Sequence, residues 1–294
     1  MRFGVVLPTL GGDAARALDA ARLAGELGFD GVFVPDHLRA GDGPTPLEPF
    51  TTLAAVAASV PRIAVGTLVA RASLRPVGML AKIAATLDEL SGGRLVLGLG
   101  TGDAASAREQ AALGLPTLEV DERRTHLVET IRAVRALLGG APWCGGERVG
   151  PLAGPILPRP DRVPPVWVGG ASSALAALAS AEADGWNGWG LPDPTFRERA
   201  LAVAAAGATP TWGGIVAVAP DEAGVADLLA RRAAAGLPAP HWTGTTDAFL
   251  AWTDALDAIR VRWVIMVVAG GAAGLESFAS RVLRRLKGDG AGIG

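Results

Sequence analysis

Asp36 and His37 stand together directly after the apolar run Val32-Phe33-Val34-Pro35, and Asp103 closes Gly100-Thr101-Gly102-Asp103 directly after Leu95-Val96-Leu97-Gly98-Leu99. An imidazole with carboxylates at hand can donate, accept or relay a proton near neutral pH, which suits a reaction that moves a proton together with a hydride. The same residues also suit a loop histidine bonded to backbone and a plain strand-to-helix turn. Val168-Gly169-Gly170-Ala171-Ser172 is a third such junction. Glycines followed by hydroxyls at a helix start expose backbone N–H groups, a phosphate site, or simply an N-cap made by Ser172. Trp186, Asn187 and Trp189 close a further strand-like run, where aromatic walls would bury a ligand, although alternation by two sends some of these side chains to the core. His126, inside a helical pattern, and His241, in a proline-rich loop, are set aside from catalysis, and the remaining tryptophans are read as packing residues.

The elements that must position these residues repeat. Apolar runs rich in Val, Ile and Leu begin near residues 2, 31, 62 and 94, with helical patterns between them. The helix expected over 13–27 ends at Gly28, and the one over 76–90 opens on Pro76 and closes at Gly92. A small helical insertion over 103–116 precedes a long helix over 120–138, and residues 139–165 form a Gly- and Pro-rich excursion. Strands at 165–168, 185–189, 211–218 and 262–268 then alternate with helices at 172–183, 194–206, 221–235, 246–259 and 275–286. Eight strands, each followed by a helix, predict an α/β protein: one (β/α)₈ TIM barrel over residues 1–287, with insertions after the fourth strand and before the fifth. Residues 288–294 are expected to be a flexible tail. An open doubly wound sheet is the rival. In a barrel, the residues at strand C-terminal ends form the site.

Composition narrows the function. A net charge of −2 with acids and bases interspersed leaves no electrostatic footprint for nucleic acid or an anionic membrane. No apolar run approaches the roughly 18 residues of a membrane span, and the N-terminus lacks a signal-peptide pattern, so a cytoplasmic protein is expected. Cys144 is the single cysteine, which excludes a disulfide frame and a Cys-based metal site. Gly100-Thr101-Gly102-Asp103-Ala104-Ala105 fits the dinucleotide fingerprint G-x-G-x-x-A, but it opens the fourth βα unit rather than the first, and Asp121 starts a helix instead of ending a strand. A Rossmann site is rejected on those grounds.

Five segments in order, ELGFDGVFVPDH (26–37), GTLV (66–69), LDELSGGRLVLGLGTGD (87–103), PPVWVGGASSALAALASAEADGW (164–186) and TGTTDAFLAWTDALDAIRVRWVIM (243–266), carry a resemblance. The chain resembles the bacterial luciferase-like superfamily of flavin and deazaflavin oxidoreductases, and its compact length and GLGTGD segment look more like the coenzyme F420-dependent branch than the FMN monooxygenases. The resemblance implies a non-prolyl cis peptide at Leu68-Val69 supporting the deazaflavin. It also implies that His37, Gly100, Thr101 and Gly102 lie along the ring, and that Val168, Gly169, Gly170, Ala171 and Ser172 lie at the phosphate. It further implies His37, aided by Asp36, and Asp103 as proton carriers, a small-molecule substrate lodged near Trp186, Asn187 and Trp189, and a homodimer. The expected reaction is hydride transfer between the deazaflavin C5 and a C=C, C=N or C=O bond. The alternatives are a reduced-FMN monooxygenase and a catalytically silent flavin- or deazaflavin-binding protein. Asp103 stands where sugar-phosphate dehydrogenases of this branch carry a glutamate, and Lys82 and Lys287 are the only lysines, both of which argue against glucose 6-phosphate.

Overall fold

A computed structural model describes residues 1–38 and 45–287; the tail over 288–294 lies outside the described residues. Eight parallel strands form the barrel: β1 (Arg2–Val6), β2 (Gly31–Val34), β3 (Ala64–Thr67), β4 (Leu95–Gly100), β5 (Val166–Gly169), β6 (Gly185–Trp189), β7 (Thr209–Ala219) and β8 (Trp263–Val268). Each pairs with the next, and β8 pairs with both β7 and β1. That closure leaves no free edge and excludes the doubly wound alternative.

The residues of β4 explain why a strand without polar alternation forms here. Leu95, Leu97 and Leu99 face the helices and are buried among them, while Val96, Gly98 and Gly100 face the barrel axis. The inward set loses bulk toward the C-terminal end, so the barrel is filled below and open above. Its lower layer is aromatic: Phe33 stacks on Trp167 at 5.9 Å and meets the edge of Trp263 at 5.6 Å. Small neighbours make the room, since a Cβ at Gly4 or Gly66 would lie 2.7 Å from the Phe33 ring. Below β4, Arg94 donates to the carbonyls of Ala57, Val60 and Ile63 at 2.6–3.1 Å and fixes the strand's lower end.

The helices are α1 (Ala14–Glu26), α2 (Pro49–Ser59), α3 (Val77–Ser91), α4 (Ala104–Ala112), α5 (Val120–Leu138), α6 (Ser173–Glu182), α7 (Asp193–Ala205), α8 (Glu222–Ala234), α9 (Thr246–Ala258) and α10 (Gly271–Phe278). Beyond α10 a wider turn, Ala279–Leu283, leads to Arg284–Lys287. Among the described residues no helix is long and apolar enough to cross a membrane. Two short strands were not foreseen: Ala70–Arg71 extends alongside the end of β4, and Trp242–Thr245 pairs with the end of β7. Thr243 and Gly244 give the second segment too little apolar character to read as a strand. The excursion over 139–165 is tied down by Glu129 of α5, whose carboxylate accepts the N–H groups of Glu147, Arg148 and Val149 at 2.7–2.8 Å. Burial would raise the Glu129 pKa, but those three donors hold it below the ordinary carboxylate range.

Candidate functional site

Because all eight strands run the same way, their C-terminal ends open into one cleft of about 1550 Å³. Residues 36–37, 68–69, 100–103 and 169–172 all line it, together with Asn187 and Trp189. The Leu68-Val69 peptide is cis, and the Val69 side chain sits between two glycines. A Cβ at Gly100 would lie 2.6 Å from Val69 Cγ2, and one at Gly169 would lie 2.6 Å from Val69 Cγ1. A Cβ at Gly98 would lie 2.1 Å from the Thr67 carbonyl oxygen. Glycine is thus required along the inner face of β4 and at the end of β5, where backbone and Val69 meet.

The polar groups gather on one side. His37 Nδ1 lies 3.3 Å from Glu109 Oε1, and the other Glu109 oxygen accepts the Leu38 N–H at 3.2 Å. A carboxylate only accepts, so Nδ1 carries the hydrogen and Nε2 is left for the cleft. Arg71, almost fully buried, donates from Nη1 to the Ser106 carbonyl at 3.0 Å. Its Nη2 is 2.9 Å from Glu109 Oε2 but too poorly aligned for a hydrogen bond, so that contact is ionic. Asp103 caps α4: its carboxylate accepts from the Ser106 N–H at 2.8 Å and the Ser106 hydroxyl at 2.9 Å. The Ser106 N–H is the main cause of a pKa held below the ordinary aspartate value, with His37 adding to it.

Three expectations need correcting. Asp36 borders the cleft, but its side chain is fully buried and fully engaged. It accepts the Arg71 N–H at 3.0 Å and takes a bidentate pair from Arg75 at 2.7 and 3.1 Å, so both of its oxygens are committed to these donors and neither is bonded to His37. Burial would lower the Arg75 pKa, yet the Asp36 and Glu48 carboxylates hold it above its ordinary value. Val168 points outward from β5 into the helix layer, away from the cleft. Trp186 likewise points outward, stacked on Phe196 at 5.6 Å, with Nε1 donating to the Gly170 carbonyl at 3.0 Å; it braces the glycine turn from behind instead of walling the pocket. Alternation along a strand separates it from Asn187 and Trp189.

The Gly169–Ser172 turn leads into α6. Ser172 Oγ accepts the Leu175 N–H at 3.2 Å, the ordinary N-cap, and Gly170 donates to the Asn187 carbonyl at 3.1 Å. A Cβ at Gly170 would lie 2.2 Å from Leu175 Cδ1. Arg199 of α7 donates to the Ala171 carbonyl and brings a cation to the turn. Asn187 Nδ2 donates to Thr211 Oγ1 at 2.9 Å, and that hydroxyl donates to the Trp186 carbonyl, which fixes the amide's orientation. His241 accepts the Ile215 N–H at 2.9 Å and meets Trp189 edge-on at 6.1 Å; burial lowers its pKa, so it is a neutral prop for the indole.

Glu109, Arg71, Arg75 and Arg199 went unnoticed in the sequence. A helical face through Asp103, Ser106 and Glu109 pointed to the first of them.

A family model for luciferase-like monooxygenases matches residues 1–262. An F420-dependent glucose-6-phosphate dehydrogenase of Microbacterium testaceum is 32% identical over 195 residues, covering 63% of this chain and 56% of that protein. The chain spans about half the length of the curated relatives it matches. Solved structures that share its fold include the following two. EDTA monooxygenase from Chelativorans sp. BNC1 has a TM-score of 0.82 and 18% identity, covering all of this chain and 95% of that one. The coenzyme F420 dependent tetrahydromethanopterin reductase from Methanopyrus kandleri has a TM-score of 0.77 and 17% identity, covering 97% and 99%. The family match takes in seven of the eight strands and every one of the four converging loops, and on it the chain belongs to the luciferase-like monooxygenase family.

Proposed function

We propose that the protein is an F420-dependent oxidoreductase that reduces a C=C, C=N or C=O bond of a small molecule. The observation that carries this reading is the convergence of residues 36–37, 68–69, 100–103 and 169–172 on one cleft, floored by Val69 against glycine backbone. That floor fits a flat ring, because a side chain at Gly100 or Gly169 would occupy the space Val69 needs. The naming of the sequence relatives as F420-dependent enzymes supports the choice of cofactor.

Leu68 and Val69 would lie under the ring, with Gly100, Thr101 and Gly102 along its edge. Gly169, Gly170, Ala171 and Ser172 would hold the phosphate, with Arg199 alongside. When bound in reduced form, F420 supplies a hydride and does not normally activate oxygen. His37 moves the accompanying proton at Nε2, with Glu109 holding its Nδ1–H. Asp103, ionised at neutral pH, stabilises the imidazolium that forms when His37 takes up a proton. Asp36 is a positioning residue: through Arg75 and the Arg71 N–H it fixes the backbone on which His37 and Arg71 sit. The resemblance also leads us to a homodimer, which light scattering on the purified protein tests, and to a cytoplasmic location, which cell fractionation tests.

Titration with F420 and with FMN, followed by tryptophan fluorescence, tests the cofactor. F420 should bind at least about tenfold more tightly, a difference of roughly 1.4 kcal/mol. Tight FMN binding without F420 binding would overturn the reading in favour of a reduced-FMN monooxygenase. F420 binding with no oxidation of its reduced form across enones, imines and carbonyl compounds would leave a silent binder.

A further inference from the structure

The rim of the cleft is chemically divided. From the end of β2 round to β5 it carries Asp36, His37, Arg71, Asp103 and the Gly169–Ser172 turn; from β6 through β8 it carries the polar side chain of Asn187, whose amide is held by Thr211, and then Trp189, Ile215, Leu237, Val267, Val268 and Leu275. Among the described residues that line the cleft, Arg232 and Arg16 are the cations at the margins of this second arc. Arg232 donates from Nη2 to the Pro238 carbonyl at 2.7 Å, which ties its guanidinium to the loop at the arc's outer edge, while its Nε is buried without a hydrogen-bond partner among the described residues. Arg16, at the mouth, stands between Asp13, the N-cap of α1, and Asp19, which is paired with Arg22 at 2.7 Å, so that edge carries little net charge. Both lysines are engaged elsewhere, Lys82 with the Leu157 carbonyl and Lys287 with Asp30. Along Trp189, Ile215, Val267 and Val268 a phosphate would lose hydration with no charge among the described residues beside it to pair with, an unfavourable exchange, whereas apolar surface gains from the same burial.

We infer that the substrate is an uncharged, largely apolar molecule with one polarised double bond, its apolar body against Trp189, Ile215, Val267 and Val268 and its polar end toward His37. This rests on the oxidoreductase reading for the reaction, but the recognition stands on the second arc alone. A sugar phosphate, the substrate in the names of the relatives, is the wrong chemical class for this arc.

Two arms separate the two claims. In the first, reduced F420 is mixed with cyclohex-2-enone and its 4-alkyl homologues, and F420 with glucose 6-phosphate, while cofactor absorbance is followed. The enones should turn over with KM falling about fourfold per buried methylene, and glucose 6-phosphate should give no reaction. In the second arm, cofactor-free protein is titrated with the neutral dye Nile red. The dye should be displaced by the butyl enone and unaffected by millimolar glucose 6-phosphate. Ile215→Arg, which puts a charge on the arc, and Leu237→Gln, at a half-exposed position that tolerates the change, should each weaken dye and enone binding while leaving cofactor affinity within about twofold. Reduction of F420 by glucose 6-phosphate, displacement of the dye by it, absence of dye binding, or tighter enone binding by Ile215→Arg would each overturn the inference. Failure of F420 to bind would instead sink the oxidoreductase reading, with the dye arm still deciding the substrate class.

Discussion

The polar and apolar arcs of one rim are built by different means. On the polar arc every charge has several partners: Asp36 accepts three hydrogen bonds, Glu109 meets His37, Leu38 and Arg71, and Asp103 takes both donors of Ser106. Such networks admit one geometry, because leaving a buried member unpaired is costly. The side chains that give the apolar arc its surface, Ile215, Val267, Val268 and Leu275, are aliphatic and make no directional contacts of their own; the directional ones lie behind or beside them, in His241 accepting the Ile215 N–H and meeting Trp189 edge-on, and in Asn187 bonded to Thr211. Apolar packing tolerates exchange of similar volumes. A barrel built this way can hold its proton chemistry constant while its substrate changes.

The sharpest way to break that division is at His37. If the polar arc carries the chemistry, His37→Ala should lower kcat about 10²- to 10⁴-fold with little change in KM for an alkyl enone. A loss confined to KM would place His37 in recognition and erase the distinction between arcs. Next in size is the buried pair beneath it. Arg75→Met leaves the Asp36 carboxylate with the Arg71 N–H alone, and breaking such a pair costs about 3 kcal/mol. Calorimetry should show Tm falling by roughly 5–10 °C, partly restored in Asp36→Asn/Arg75→Met. An unchanged Tm would mean that the pair is not holding the arc together.

Glu109 gives a smaller, more diagnostic effect. Glu109→Gln keeps the shape but can turn an N–H toward His37, so kcat should fall about ten- to a hundredfold through misorientation. The ¹⁵N shifts of the imidazole should report loss of the Nδ1–H tautomer, a signal that simple loosening of α4 would not produce. An unaltered tautomer would remove Glu109 from the positioning of His37.

Why some of this was legible and some was not follows from sequence distance. The barrel is written locally, in strand runs about thirty residues apart with caps such as Asp13 and Gly92 between them, and the four loops follow once strand ends are known. Val168 and Trp186 were misplaced because a contiguous motif ignores that successive strand residues face opposite sides. Asp36 looked like a partner for His37 by adjacency, but its true partner is Arg75, thirty-nine residues on. Glu109 reaches His37 across seventy-two residues and sits on an insertion that breaks the βα rhythm, so no periodic signal joined them.

The smallest expected effect tests whether Asp103 belongs to the chemistry or to the helix. Its pKa is lowered in the folded protein, chiefly by the Ser106 N–H, so its contribution to α4 is fully present above the unfolded value of about 3.9 and is lost as pH falls through the lower folded value. Hydrogen exchange of the α4 amides should therefore be flat from pH 7 to 5, after correction for intrinsic rates, and lose protection only in stronger acid. Asp103→Asn, which caps without titrating, should abolish that acid limb, whereas Asp103→Ala should weaken α4 by about 1 kcal/mol from pH 7 to 5, a difference from the wild type that shrinks in stronger acid. If Asp103→Asn also leaves kcat within about threefold, the carboxylate acts only by capping the helix that carries Glu109, and proton transfer belongs to His37 alone. A larger fall in kcat with α4 protection intact would return the charge of Asp103 to the reaction and extend the chemical arc from β2 to the end of β4.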